Sequence, residues 1–226
     1  MLTAVMVFTL AACGNNAGAS SENQDNPAEN NADNTQTDAV PTGDQNVDIN
    51  ENTAVQAVVT DSDGSNILVV YFSWSGHLDS MAHWVADETG GDLIRVTAKE
   101  PYPENYNDTA DRAKSEQDNN ERPEIAIDLT AEQMAQYDTI FFGFPVWWYD
   151  LPMPMWTFLE SYDFSGKTII PFFSHEGSSN GAGGLPRIEE LATGATVRSN
   201  DALSIRGGKV DGSEDDVREW VRNLGY

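Results

Sequence analysis

The apolar residues in the second part of the chain form short continuous runs, separated by amphipathic segments. The runs show little alternation of apolar and polar residues, which is typical of strands buried on both faces. Strands are predicted at 67–72, 93–96, 138–144 and 168–173. Helices are predicted at 79–89, 154–161 and 185–191. This alternation predicts an α/β fold, a doubly wound five-stranded parallel sheet flanked by helices.

Three further segments carry weaker patterns. The runs 195–198 and 202–206 predict either two short strands or one interrupted edge strand. Thr130 and Gln133 have the spacing of a capping box, which predicts a short helix. Ser213 is expected to cap a last helix. The apolar face of that helix would be formed by Val217, Trp220, Val221 and Leu224.

The composition divides the chain near residue 64. Residues 14–64 contain no Lys, Arg, His, Phe, Trp or Tyr. Residues 1–64 carry ten acidic residues and no basic one. The other 27 acidic residues and all 12 basic ones give 65–226 a net charge of −15, within a chain total of −25. Only this second part has enough apolar and aromatic residues to build a core.

Charge and cysteine content exclude several classes of protein. A nucleic-acid binder needs clustered Lys and Arg to neutralise phosphates. Docking on anionic lipid through a basic patch needs the same residues. One Cys and three His exclude a disulfide framework and a Cys-rich zinc or iron–sulfur site.

The N-terminus resembles that of a bacterial lipoprotein. Residues 1–12 are an apolar run that is too short to span a bilayer as a helix but suits the core of a secretory signal peptide. The segment Leu10-Ala11-Ala12-Cys13-Gly14 resembles a lipobox, which implies cleavage before Cys13 and lipid attachment to it. The resemblance predicts an extracytoplasmic protein, lipid-anchored to the bacterial cell membrane. The alternative is an ordinary apolar start with an incidental cysteine.

Residues 13–64 form a segment of low complexity, rich in Asn, Asp, Glu, Ala and Thr. Its apolar content is too low to offset the entropy of ordering, so we expect a disordered acidic linker. A flexible coil of about fifty residues spans roughly 40 Å between its ends. Within it, only 55–60 has the composition of a short strand.

The loops after the strands at 67–72, 138–144 and 168–173 should meet at the carboxyl edge of the sheet, because crossovers are right-handed. The first loop is Ser73-Trp74-Ser75-Gly76-His77-Leu78. Helix N–H groups, the helix dipole, two serine hydroxyls and a glycine that allows close approach favour an oxyanion here. The loop contains no Lys or Arg and matches neither a Walker A nor a G-x-G-x-x-G motif. The alternative is that its Ser and Gly serve only as caps.

The second loop contains Pro145-Val146-Trp147-Trp148-Tyr149. Three consecutive aromatic residues cannot all enter one core, so at least one is expected at the rim, where it offers a flat surface to a planar ligand. The alternative is that both tryptophans pack under the next helix. The third loop includes Ser174-His175-Glu176-Gly177 and is rich in glycine. A loop of this composition can surround the edge of a planar ring with its backbone amides. The alternative is a connection that is merely mobile.

Together these segments resemble the flavodoxin family, most closely its bacterial long-loop branch, over about residues 65–226. The first loop occupies the position of the family's Ser-x-Thr/Ser-Gly-Asn-Thr phosphate loop, and the second resembles Gly-x-Pro-x-Trp-Trp followed by Pro-Met-Pro. A further stretch also resembles the branch, with Tyr102-Pro103-Glu104-Asn105-Tyr106, Arg112, Glu116, Arg122 and Pro123. The resemblance implies FMN as cofactor. It implies contacts from 73–78, from 145–149 and from 174–177.

Two residues depart from the family pattern. His77 and Leu78 stand where the family has Asn and Thr, and Leu78 cannot donate a side-chain hydrogen bond to a phosphate. Lost hydrogen bonds to a charged group cost about 1.5–3 kcal/mol. Tyr149 stands where relatives often carry Gly, which eases a backbone flip beside the flavin in flavodoxins.

The resemblance implies an electron carrier in which FMN supplies the redox chemistry and no catalytic residue or metal is needed. The net charge of −15 on 65–226 should lower the flavin potential and attract redox partner proteins with basic patches. We expect a monomer that is anchored to the membrane through its N-terminal lipid. The acidic surface equally suits solubility outside the cell. Two alternatives remain open at the level of sequence. One is an NAD(P)H- or quinone-dependent FMN reductase, which needs an open flavin face. The other is a flavodoxin-fold surface lipoprotein that no longer binds FMN, which the Leu78 substitution favours.

Overall fold

The computed structural model describes residues 66–177, Gly181 and 183–226. The first half of its elements are β1 Ile67–Tyr71, α1 His77–Thr89, β2 Asp92–Arg95, β3 Thr97–Ala98, α2 Tyr106–Asp118, β4 Ile125–Ala126 and α3 Ala131–Met134. The second half are β5 Thr139–Pro145, α4 Met153–Ser161, β6 Thr168–His175, α5 Gly184–Leu191, β7 Thr196–Val197, β8 Leu203–Arg206 and α6 Glu214–Leu224. None of the helices in these ranges is long and apolar enough to cross a membrane.

Several sequence predictions lie outside the described residues. They are the signal peptide at 1–12, Cys13, the linker, the strand at 55–60, and residues 178–180 and 182 of the third loop.

The main sheet is parallel and has the order β2-β1-β5-β6, with β7 and β8 both beside β6. β7 pairs with the start of β6, where Thr168 faces Thr196, and β8 pairs with its end, where His175 faces Arg206. A 3-10 turn, Ser199–Asp201, separates the two. The five-stranded parallel sheet and the interrupted edge strand are both confirmed. β3 and β4 form a separate antiparallel pair.

Each central strand contributes to two core layers, which explains why its apolar residues are continuous. Leu68 and Val70 of β1 belong to one buried cluster, together with residues of α3, α4 and α5. Val69 and Tyr71 belong to the other cluster, together with residues of α1 and α6. Gly143 of β5 has no room for a side chain, because a Cβ there would lie 2.4 Å from the Phe172 ring.

Three local features differ from the predictions. The hydrophobic pattern does not predict α2, because that helix is strongly polar and buries only Thr109, Ala113 and Glu116. α1 begins two residues earlier than predicted, at His77. Ser213 precedes α6, but its hydroxyl donates to the Val210 carbonyl at 2.8 Å and caps no helix N–H, so its predicted role is wrong.

Candidate functional site

Three side chains hold the first loop in its conformation, two from the loop itself and one from β2. The buried Ser73 hydroxyl accepts a hydrogen bond from the Gly76 N–H at 3.1 Å. Arg95 donates to the Ser73 carbonyl at 2.8 Å. The indole N–H of Trp74 donates to the Pro103 carbonyl at 2.9 Å. These three hydrogen bonds fix the conformation of the loop between β1 and α1.

This loop ends in an open helix N-terminus. Gly76 has a positive φ of 95°, and a Cβ at this position would meet no atom within 4 Å. α1 begins without a side-chain cap, and its first intrahelical bond runs from the Ser80 N–H to the Gly76 carbonyl at 3.1 Å. The N–H groups of His77 and Leu78 precede that bond and so have no partner within the helix. The loop thus presents donors and a positive dipole end to an open space.

His77 and Leu78 have different surroundings. His77 is half-buried, and its ring lies against Gly207, where a Cβ would be 2.8 Å from the ring. Leu78 is only 1% exposed and belongs to the core layer that contains Val69 and Met81. The Leu78 side chain therefore stabilises the core and does not line the site, whereas its backbone N–H remains at the helix start.

The second loop is a tight two-residue turn. The N–H of Trp147 donates to the Asp150 carbonyl and the N–H of Asp150 to the Trp147 carbonyl, both at 3.0 Å. Trp148 and Tyr149 between them have positive φ angles of 47° and 66°. Two left-handed central residues define a type I′ turn, which normally contains Asn-Gly. Here both positions carry large aromatic side chains, which are forced outward.

Trp148 bridges this turn to α2. Its indole N–H donates to the Ala110 carbonyl at 2.9 Å, and Gln117 donates to the Trp148 carbonyl at 3.4 Å. Lys114 lies 5.9 Å from the centroid of the indole ring. The turn and α2 therefore form two walls that are connected at one end.

Trp147 lines the same cavity and is supported by aromatic rings and a buried polar cluster. Its ring makes edge contacts with Phe72 and Tyr102, at centroid distances of 5.4 and 5.0 Å. The Tyr102 hydroxyl donates to the buried Glu116, which also accepts from Arg112 at 2.8 Å. Burial, followed by the hydrogen bond to the Glu116 carboxylate, raises the pKa of Tyr102 well above its usual range. Trp147 thus has a rigid support.

A cavity of about 380 Å³ lies between these walls. It is lined by Trp74, Tyr106, Thr109, Ala110, Ala113, Val146, Trp147, Trp148, Tyr149, Glu176 and Gly177. Tyr106, Trp148 and Tyr149 are 71%, 45% and 68% exposed, and they are the large hydrophobic residues exposed in the described part of the chain. All three therefore surround one cavity, whose size and aromatic lining suit a planar small molecule.

The third loop contacts the second loop, and its Glu176 lies against Gly207, as His77 of the first loop does. Val146 donates its N–H to the carbonyl of the buried Ser174 at 2.8 Å. The Cβ position of Gly183 is 2.2 Å from the Tyr149 carbonyl, so only glycine allows this approach. Glu176 lies against Gly207 and 3.8 Å from Arg206. His175 has a buried Nδ1 without a hydrogen-bond partner in the described residues.

The structure brings together residues from all three predicted loops. Seven of the predicted residues line the cavity: Trp74, Val146, Trp147, Trp148, Tyr149, Glu176 and Gly177. Ser73, Ser75, Gly76 and His77 form the adjoining helix start, while Pro145, Ser174 and His175 lie in the strand ends behind it. Sequence reasoning missed the α2 wall. The spacing of Tyr106, Thr109, Ala110 and Ala113, with Asn105 as a helix cap before them, is the signal that identifies it.

The fold and the site define an α/β protein of the flavodoxin-like class, with a ligand site at the carboxyl edge of the sheet. A family model described as Flavodoxin matches residues 66–224, and the chain belongs to this family.

Solved structures agree with this assignment. A flavoprotein from Bacteroides uniformis ATCC 8492 is 30% identical, with a TM-score of 0.60 over 71% of this chain and 99% of that chain. One from Bacteroides eggerthii DSM 20697 is 26% identical, with a TM-score of 0.57 over 72% and 99%. A flavoprotein in complex with FMN from Lactobacillus acidophilus NCFM is 26% identical, with a TM-score of 0.53 over 66% and 98%.

Proposed function

We propose that this protein binds FMN in the aromatic cavity and serves as a low-potential electron carrier at the outer face of a bacterial membrane. The family of the chain and the FMN complex of a similar flavoprotein support the cofactor. The observation that carries the proposal is that Trp74, which lines the aromatic cavity, lies in the same short loop as the open start of α1 at Gly76.

The residues present fit FMN at both of its ends. A phosphate needs donors that are not already used, and the first N–H groups of α1, beside the open space at Gly76, have no partner within the helix and no side-chain cap among the described residues. A flavin ring needs flat apolar walls, which the aromatic residues of the cavity provide. Within the described residues, the buried Nδ1 of His175 at the end of β6 has no hydrogen-bond partner, and a bound group or an ordered water would satisfy it.

FMN supplies one-electron redox chemistry, while the protein sets its binding and potential. Trp147, on its rigid support, and Trp148, bridged to α2, would orient the ring and exclude water from it. The first loop would hold the phosphate through N–H groups and the hydroxyls of Ser73 and Ser75. No side chain needs to act as a nucleophile or a proton donor in this function.

Two properties support a carrier role. The net charge of −15 on residues 65–226 disfavours additional negative charge on a reduced cofactor, which lowers its potential. The same charge attracts partner proteins with basic patches, with rates that fall as salt increases. Exposed aromatic residues around the cavity leave one edge of the site accessible to such a partner.

The first test is flavin binding by the purified protein. We expect yellow protein that releases FMN on denaturation. Trp148→Ala should weaken FMN binding by about tenfold, because the ring loses one aromatic contact worth about 1 kcal/mol or more. Trp84→Ala is the matched control, since Trp84 packs against the core layer of α1 and α6. If the protein stays colourless in excess FMN, the flavin proposal is wrong.

The second test separates a carrier from a reductase. A carrier exchanges electrons with a low-potential redox protein, such as a reduced iron–sulfur protein, at rates that decline with ionic strength. It should oxidise NADPH with a quinone no faster than free FMN does. Rapid, saturable NADPH oxidation would select the reductase instead.

The third test concerns the anchor at Cys13. Cys13→Ala should release the protein into the medium, and Cys13→Ser should do the same, because neither side chain offers a thiol for lipid attachment. Metabolic labelling with a radioactive fatty acid provides an independent measurement. Retention of the variants at the cell surface would contradict lipid anchoring through this residue.

A further inference from the structure

Arg95 extends from the neighbouring strand to the first loop. It is the last residue of β2 and is in register with Tyr71 of β1. Its Nη2 donates to the Ser73 carbonyl oxygen at 2.8 Å, while its Nη1 lies 3.4 Å from Oδ1 of Asp79. One guanidinium group therefore links the loop to the first turn of α1.

Asp79 places a negative charge in the first turn of α1, close to the helix start at which a phosphate would bind. It lies in the first turn of α1, where the helix dipole favours anions. Its Oδ1 accepts from the Tyr71 hydroxyl at 2.6 Å as well as from Arg95. Without a nearby cation, the Asp79 carboxylate would repel a phosphate. Arg95 supplies that cation.

The arrangement contributes little to stability as an ion pair. The side chains of Arg95 and Asp79 are 45% and 40% exposed, and exposed pairs of this kind contribute about 0–1 kcal/mol. The planar guanidinium group, however, presents two donors at once, one to a loop carbonyl and one to a helix carboxylate. These two contacts can therefore fix the position of the first loop relative to the start of α1.

We propose that Arg95 is a positioning residue for the FMN phosphate. It holds the Ser73 carbonyl in the loop conformation in which the Ser73 hydroxyl accepts from the Gly76 N–H, and it offsets the charge of Asp79. The inference rests on the proposed function. It assigns the positive charge of the phosphate site to a residue outside residues 73–78, which contain no Lys or Arg.

The test compares the affinities for FMN and for riboflavin, which lacks the phosphate. Arg95→Ala should weaken FMN binding by about tenfold to a hundredfold, the range expected for interactions with a charged group. Riboflavin binding should change by less than about twofold, because the ring site is untouched. Arg95→Lys keeps the positive charge but not the planar guanidinium with its two donors. Its FMN affinity should therefore lie between those of the wild type and Arg95→Ala.

The matched control is Arg222→Ala. Arg222 is an exposed arginine that pairs with Glu88, near the other end of α1, at 3.0 Å. This variant should bind both flavins as the wild type does. Thermal unfolding of each variant checks that the fold is retained.

The outcomes distinguish the two proposals. Equal weakening of FMN and riboflavin by Arg95→Ala would show a general structural role and overturn the inference. Unchanged FMN affinity would overturn it as well. In both of these cases the wild type still binds FMN, so the proposed function survives. A wild type that binds neither flavin would instead remove the proposed function and the inference together.

Discussion

At the residue scale, the unusual feature is the pair of aromatic residues in the type I′ turn. Trp148 and Tyr149 both occupy the left-handed region, where a non-glycine residue costs about 1–3 kcal/mol. This turn type usually selects Asn-Gly. The strain is retained at the mouth of the cavity, where the turn aims aromatic side chains outward and Trp148 bonds to α2.

We predict that Tyr149→Gly stabilises the protein without flavin by about 1 kcal/mol. Glycine removes the left-handed strain, and this gain exceeds its larger loss of backbone entropy on folding, about 0.5–1 kcal/mol. Urea unfolding gives the free energy. Tyr149→Ala is the control, because alanine removes the ring but keeps the Cβ and the strain. Equal stabilities of the two variants would contradict this account.

At the element scale, α2 forms the second wall of the cavity. The helix is strongly polar and has few buried residues, so its folding depends on local signals as well as on packing. Asn105 provides one such signal, since its side chain accepts from the N–H groups of Asn107 and Asp108 at 2.9 and 3.2 Å.

We predict that Asn105→Ala loosens α2 and weakens flavin binding. Loss of a helix cap costs about 1 kcal/mol, so the amides of α2 should exchange with solvent about fivefold faster. Hydrogen exchange measures this directly. Asn119→Ala, at the other end of the same helix, is the control because, among the described residues, its side chain donates only to Ser115 and Glu121. Equal effects of the two variants would argue against the capping role.

The elements also show what the sequence could and could not predict. The strands were predictable because burial on two faces leaves continuous apolar runs, as in 67–72 and 168–173. The hydrophobic pattern does not predict the α2 wall, since small residues such as Ala110 and Ala113 produce no clear apolar stripe; only the Asn105 cap and the spacing of the residues after it indicate this helix. The turn at Trp148 and Tyr149 lacks the glycine that marks its type. The contact of Arg95 with Ser73 depends on strand order, which local patterns do not encode.

At the scale of the whole molecule, three tyrosines make the stability of the folded protein depend on pH. Tyr71, Tyr102 and Tyr137 donate their hydroxyls to Asp79, Glu116 and Asp92. Burial, followed by the hydrogen bond to the carboxylate, raises the pKa of each tyrosine above its usual value. The folded protein therefore keeps these protons at pH values where the unfolded chain releases them.

We predict a loss of stability at alkaline pH. The contribution of these tyrosines is complete below the unfolded pKa of about 10 and declines as the pH rises above it, by at most about 1.4 kcal/mol per pH unit for each tyrosine. Urea unfolding between pH 9 and about 11.5 measures the slope. Tyr137→Phe should reduce the slope of the unfolding free energy against pH. Tyr106→Phe should leave this slope unchanged, because Tyr106 is 71% exposed. A slope unaffected by Tyr137→Phe would contradict the assignment.

The break between β7 and β8 has a consequence for copies of the protein that meet at high concentration. An unpaired sheet margin offers a row of backbone N–H and C=O groups on which a second chain can add. Here that row is divided into segments of two and four residues by the turn at Ser199–Asp201. β2, at the opposite margin, has only four residues. In the part of the chain that the structure describes, both margins are therefore short, which limits edge-to-edge pairing between copies.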